Sequence, residues 1–191
     1  MNLPNKLTVL RILLIPVFIV FASLPQFRFA YLIAMAVFAF ASYTDFLDGH
    51  IARKRGLVTD FGKFADPLAD KILTTTAFLY MMMDGACHPI VMVIIITREF
   101  AVSGVRMIAA GAPGGKVIAA NIWGKAKTVL QMVSIIIYYL MAGIAYAVPL
   151  PQLGSAALVI SWWLCWLVAA LTAISGIQYI WANRSYINTA K

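Results

Sequence analysis

The chain has 191 residues, 63% hydrophobic and 12% charged, with a formal net charge of +8. An ordinary soluble domain is nearer half apolar and about a quarter charged. The composition excludes a disordered chain, a nucleic-acid-binding domain, a secreted disulfide scaffold and a large extramembrane domain, leaving a compact polytopic membrane protein.

In chain order, apolar runs predict spans at 8–24, 29–48, 66–83, 88–108, 121–147 and 153–183. A bilayer-spanning helix uses about 20 residues, so the apolar content suffices for about six. The breaks carry turn chemistry at Leu24-Pro25-Gln26, Asp84-Gly85, Gly111-Ala112-Pro113-Gly114-Gly115 and Pro149-Leu150-Pro151. Lys6 and Arg11 ahead of an apolar run resemble a signal peptide, but Pro25 and five further runs favour an uncleaved first helix. Of the fifteen basic residues only Arg28 falls on the odd-numbered breaks, leaving fourteen for the other side. That asymmetry predicts two cytoplasmic termini. Cys87 and Cys165 show no CxxC spacing, and His50 and His88 lie far apart, so neither a disulfide nor a zinc site is expected. The expected fold is a single domain over residues 1–191: an all-α integral membrane protein of six transmembrane helices.

Four of the seven acidic residues form two helix-spaced pairs at the cytoplasmic boundary. Asp45 and Asp48 are three apart at the inner end of span two, and Asp66 and Asp70 are four apart where span three begins; each pair shares one helical face. Two unit charges 4 Å apart repel by about 4 kcal/mol at an effective dielectric near 20. A divalent cation relieves such a cluster, and an all-oxygen ligand set favours Mg²⁺ or Mn²⁺. Asp66 before Pro67 also reads as an N-cap with proline at the first helical position. Caps account for one aspartate well and four poorly. An EF-hand is excluded, because the twelfth position from Asp45 is Gly56 where a bidentate glutamate belongs. The expectation is a polar, metal-binding cavity on the cytoplasmic side.

The pattern DxxDGxxARx₈Gx₃Dx₃D, eight fixed positions over residues 45–70, resembles the signature of the CDP-alcohol phosphotransferase family without departure. Asn5-Lys6-Leu7-Thr8 through Arg11, Thr97-Arg98-Glu99 through Arg106, and Gly124-Lys125-Ala126-Lys127-Thr128 through Gln131 look like the bacterial branch that acts on sn-glycerol 3-phosphate. The resemblance implies a multi-pass enzyme of the bacterial cytoplasmic membrane, usually a homodimer, that takes CDP-diacylglycerol and uses Mg²⁺ or Mn²⁺. It implies metal binding by Asp45, Asp48 and Asp66, with Asp70 as the general base and a possible fourth ligand. Gly49, Ala52, Arg53 and Gly62, with Thr8, would lie against the cytidine diphosphate.

The remaining polar residues suit such a cavity. Arg98 stands ten residues into span four, about 15 Å deep. An arginine there costs at least roughly 2.5 kcal/mol unless it is paired or faces water. A structural pair with Glu99 or an aspartate and a ligand-binding role remain open alternatives for it. Arg106, Lys125 and Lys127, with Arg98, are the candidates for holding an acceptor's phosphate. Serine, inositol phosphate or phosphatidylglycerol as acceptor, and divalent-cation transport in place of catalysis, are the rival readings.

Overall fold

The computed structural model describes residues 3–55, 60–111 and 122–184, with side chains left aside at 3–4, 46–55, 60–64 and 110–111. The described residues form six helices: α1 (Leu3–Ala22), α2 (Ala30–Arg55), α3 (Asp60–Met83), α4 (Pro89–Gly111), α5 (Ile122–Ala147) and α6 (Pro151–Ala182). They pack in a closed circuit, α3 to α1 to α2 to α5 to α6 to α4 and back to α3, with α3 also touching α2 and α5. Three helices, α1, α5 and α6, are long and apolar enough to cross a membrane, and α2 carries a shorter apolar stretch, Ala30–Asp45.

The turns form where the sequence signals them. After α3 the chain closes a Schellman motif: Ala86 N–H donates to Met81 O at 2.8 Å and Gly85 N–H to Met82 O at 3.1 Å. The residue in the left-handed region is Gly85, at φ +81°, where a Cβ would be strained. Pro151 occupies the first turn of α6, where its missing N–H leaves no bond unmade. One expectation fails here. Asp66 is not an N-cap, because α3 begins at Asp60 and carries Pro67 inside it. The six residues before Pro67 continue the helical path, so Asp66 points from a helix interior.

The bundle buries aromatic and small residues together. Phe18, Phe38, Phe78, Tyr138 and Tyr139 are fully or almost fully buried, and Phe18 meets Tyr139 edge-on at 5.3 Å. The interior also holds Thr8, Arg11, Lys127, Gln131, Ser161 and Thr172, while Leu13, Phe100, Met107, Trp163, Ile177 and Trp181 face outward. Apolar outside and polar within is the arrangement that lipid favours. At the end remote from the aspartate pairs, Tyr31 and Tyr138 both donate to Asp84 Oδ2, at 2.8 and 2.6 Å. Arg28 donates from Nε to Ala147 O at 2.6 Å, a cation on the last carbonyls of α5. Cys87 and Cys165 are buried free thiols that lie beside one another, and His88 stacks on Trp166 at 5.7 Å.

Helices α2 and α5 approach so closely at Gly143 that an added Cβ would lie 2.7 Å from Leu32 Cδ2 and 2.9 Å from its backbone nitrogen. Overpacking of this kind costs about 1–3 kcal/mol. Gly143→Val should therefore lower the melting temperature of the purified protein in detergent. An unchanged melting temperature would show that the two helices part freely.

Candidate active site

Helix α1 supplies the cations and hydroxyls that meet the carboxylates of α2 and α3. Thr8 and Arg11 are three residues apart and so share a face of α1. Thr8 Oγ1 donates to Asp66 Oδ1 on α3. Arg11, 0% exposed, reaches Asp45 Oδ1 on α2 with Nη1 at 2.9 Å, and its Nε donates to Ala41 O at 3.3 Å. Asp66 and Asp70 lie near enough to Asp45 to repel it, and Arg11 acts on both Asp45 and Asp70. Two of the sequence-predicted carboxylates, Asp45 and Asp70, are thus tied to one buried guanidinium, and the third, Asp66, is held beside them by Thr8.

Asp48, Gly49, Ala52 and Arg53 lie on the last turns of α2 and Gly62 on the first turn of α3, with side chains outside the described residues. Among the described residues no three acidic, cysteine or histidine side chains already form a cluster able to grip an ion. The donor chemistry nevertheless fits a hard divalent cation: mutually repelling carboxylate oxygens from two helices, with no sulfur or imidazole among them.

Asp70 also lines a second space. A cavity of about 210 Å³ opens between α3, α4 and α5, walled by Asp70, Lys71, Thr74, Arg98, Glu99, Ser103, Arg106, Lys127 and Gln131 among others. Glu99 holds it together. Its Oε1 accepts from Lys127 Nζ and, at 3.2 Å, from Arg98 Nη1, and its Oε2 lies 3.9 Å from Lys71 Nζ. Lys71 also donates to Ser103 Oγ. Lys127 is only 4% exposed, so its charge depends on this partner.

Helix α6 shapes the cavity from behind. An added Cβ at Gly176 would lie 2.8 Å from Arg98 Cγ, so the glycine is the recess in which that side chain lies. The Arg106 guanidinium lies 6.0 Å from the centre of the Tyr179 ring. Arg98 Nε and Arg106 Nε are both buried without a hydrogen-bond partner.

Of the four residues expected to hold an acceptor's phosphate, Arg98, Arg106 and Lys127 line the cavity and Lys125 does not. Lys125 is exposed, because two residues along a helix turn the side chain about 200° away. For Arg98, the structure shows the pair with Glu99. Sequence reasoning missed Arg11 as the partner of Asp45, Lys71 as a cavity wall, Gly176 as a recess and Glu99 as the shared anion. One signal for Glu99 was present: it is the only glutamate in the chain, next to a membrane-depth arginine.

The family model for CDP-alcohol phosphatidyltransferase matches residues 1–174. A Bacillus subtilis (strain 168) protein named CDP-diacylglycerol–glycerol-3-phosphate 3-phosphatidyltransferase is 36% identical over 202 residues, covering 99% of this chain and 98% of its own. Proteins of the same name from Rickettsia bellii and Pseudomonas fluorescens are 36% and 41% identical. The first covers 97% of both chains; the second covers 72% of this chain and 71% of its own.

Removing one partner of a buried ion pair leaves the other charge uncompensated, typically at a cost of about 3–5 kcal/mol. Arg11→Met should therefore destabilise the protein far more than Lys6→Met, an exposed position on the same helix. Thermal unfolding of the two purified variants checks this, and equal melting temperatures would remove Arg11 from its structural role.

Proposed function

The chain belongs to the CDP-alcohol phosphatidyltransferase family, and on that premise we propose that it transfers the phosphatidyl group of CDP-diacylglycerol to sn-glycerol 3-phosphate. The products are phosphatidylglycerophosphate and CMP, which makes the chain a transferase of phospholipid biosynthesis. Support comes from relatives of that name that match nearly the whole chain. Family membership sets the reading as a cation transporter aside.

The observation that carries the mechanism is the shared position of Asp70. Its carboxylate is acted on by Arg11 on the aspartate side and by Lys127, Lys71 and Glu99 on the cavity side. The acceptor's phosphate enters the cationic cavity, held by Arg106, Lys127 and Arg98 through charge-assisted hydrogen bonds worth about 1.5–3 kcal/mol each. Its free hydroxyl then faces Asp70, which takes the proton as that oxygen forms a bond to the phosphatidyl phosphorus. The bond from phosphorus to the CMP oxygen breaks, and CMP leaves with the electron pair. Enzymes of this family generally depend on a divalent metal. Asp45, Asp48 and Asp66, with Asp70, would hold Mg²⁺ or Mn²⁺. When bound, the ion neutralises charge on the diphosphate and the departing CMP. Gly49, Ala52, Arg53 and Gly62 would receive the cytidine diphosphate.

The lipid substrate sets the setting. All six helices cross the bilayer in this reading, including α3 and α4, whose Asp70, Lys71, Arg98, Glu99 and Arg106 line the internal cavity. Both termini and the aspartate pairs lie on the cytoplasmic side, where the soluble acceptor is found. Cysteine introduced at position 85 or 150 should react with an impermeant thiol reagent on intact cells, and cysteine at position 56 should not. Labelling of position 56 from outside would reverse the topology.

The function is tested by CMP release from CDP-diacylglycerol across a panel of acceptors. Glycerol 3-phosphate should support turnover, and serine and inositol, which leave the cationic cavity unpaired, should not. Robust turnover with serine would sink the assignment. Asp70→Asn should lower turnover by about 10²–10⁴-fold while preserving the fold. Arg106→Ala should raise the KM for glycerol 3-phosphate much more than that for CDP-diacylglycerol. Equal effects on both would assign Arg106 to the nucleotide or to the fold.

A further inference from the structure

Glu99 stands in a cavity whose proposed occupant is an anion. Resting on that reading of the cavity, we propose that Glu99 is an internal stand-in for the acceptor's phosphate, which sets the charge that the cavity accepts. Its oxygens take the same partners that a phosphate oxygen would take: Lys127 and Arg98 on Oε1, with Lys71 3.9 Å from Oε2. Among charged groups the cavity is lined by Lys71, Arg98, Arg106 and Lys127 against Asp70 and Glu99, four positive and two negative, a surplus of two. A phosphate monoester dianion carries that charge. Without Glu99 the surplus is three, and any small phosphate binds more tightly.

The arrangement has two consequences. In the empty cavity Glu99 keeps three cations compensated in an apolar bundle, where an unpaired charge is costly. When the acceptor arrives, its phosphate competes with Glu99 for Lys127 and Arg98, while Arg98 Nε and Arg106 Nε, both unpartnered, offer donors that Glu99 does not use. An anion with only the reach of a carboxylate gains little over Glu99. One that also engages the two arginine Nε atoms displaces it. Glu99 is in this sense a specificity-determining residue: it sets a threshold that weak anions fail and a phosphate monoester passes.

The test is Glu99→Gln, which keeps the size and hydrogen-bonding reach of the side chain and removes its charge. The apparent KM for sn-glycerol 3-phosphate should fall about tenfold, the effect of roughly one charge-assisted hydrogen bond no longer contested. The KM for CDP-diacylglycerol should stay unmoved, kcat should fall as the phosphorylated product is held longer, and inorganic phosphate should become a competitive inhibitor. Glu99→Asp, which keeps the charge, should stay close to the unsubstituted protein in phosphate inhibition. A side chain that merely braces Lys127 and Arg98 would show the opposite split, a raised KM for glycerol 3-phosphate, and that result overturns the proposal.

A second comparison covers the case in which Glu99→Gln fails to fold. Lys127→Met/Glu99→Gln should bind inorganic phosphate more tightly than Lys127→Met alone by calorimetry; weaker or equal binding overturns the proposal. The two readings also fail separately. If the unsubstituted protein releases no CMP with glycerol 3-phosphate, the function falls, yet inorganic phosphate binding still reads the role of Glu99. If it releases CMP normally and Glu99→Gln raises the KM, only the role of Glu99 falls.

Discussion

Charge inside an apolar bundle has to be compensated where it lies, and this one constraint organises the protein. Arg11 is wholly buried at the inner part of α1, and the only way to keep it there is an anion within reach. Asp45 supplies that anion at 2.9 Å, so α1 and α2 are fixed in register at the point where the aspartate pairs begin. Thr8 ties the same face of α1 to Asp66, so α3 joins the arrangement through a second polar contact. The carboxylates proposed to serve the chemistry are thereby also groups that join three helices.

The same rule explains why the cavity side is built around Glu99. Lysine and arginine side chains at membrane depth are tolerated when they face one another's counter-ions or water. Lys71, Arg98 and Lys127 come from three different helices and converge on one carboxylate. Asp70 stands between this group and Arg11, acted on by both sides. A proton taken up at Asp70 therefore changes the balance of charge in both halves of the site. The coupling of the two halves is electrostatic, and it follows from Asp70 lying between two sets of cations.

The opposite end of the bundle is made differently. There one carboxylate, Asp84, is met by two neutral tyrosine hydroxyls, and a basic residue, Arg28, is spent on the carbonyl that ends α5. Hydroxyl donors and a helix-end carbonyl join the helices without gathering mobile charge. One end is therefore a clasp and the other a site, and α3 runs between them, carrying Asp66 and Asp70 near one end and leading into Asp84 at the other.

Much of this was legible in the residues alone. Apolar run lengths placed six helices, α4, α5 and α6 to within three residues at both ends, whereas α1, α2 and α3 each run five to seven residues further at one end, where polar residues continue the helix. Helical spacing put Asp66 with Asp70, both of which act on Asp45, because the 3.6-residue period is local; the Asp48 side chain, paired with Asp45 by the same reasoning, lies outside the described residues. The motif then led to the chemistry. Where that reasoning failed, the failures were of two kinds. Pro67 was read as a helix start, a local rule overridden by the helix that continues through it from Asp60. Lys125 was grouped with Lys127 by proximity in sequence, although the same helical period that paired the aspartates sends these two apart. The remaining features belong to the tertiary structure alone. That Arg11 meets Asp45 across 34 positions, that Glu99 gathers cations from α3, α4 and α5, and that Gly176 leaves room for Arg98 all depend on how closely distant helices approach. Local periodicity fixes which face a side chain occupies on its own helix. Only the packing of six helices decides which faces meet.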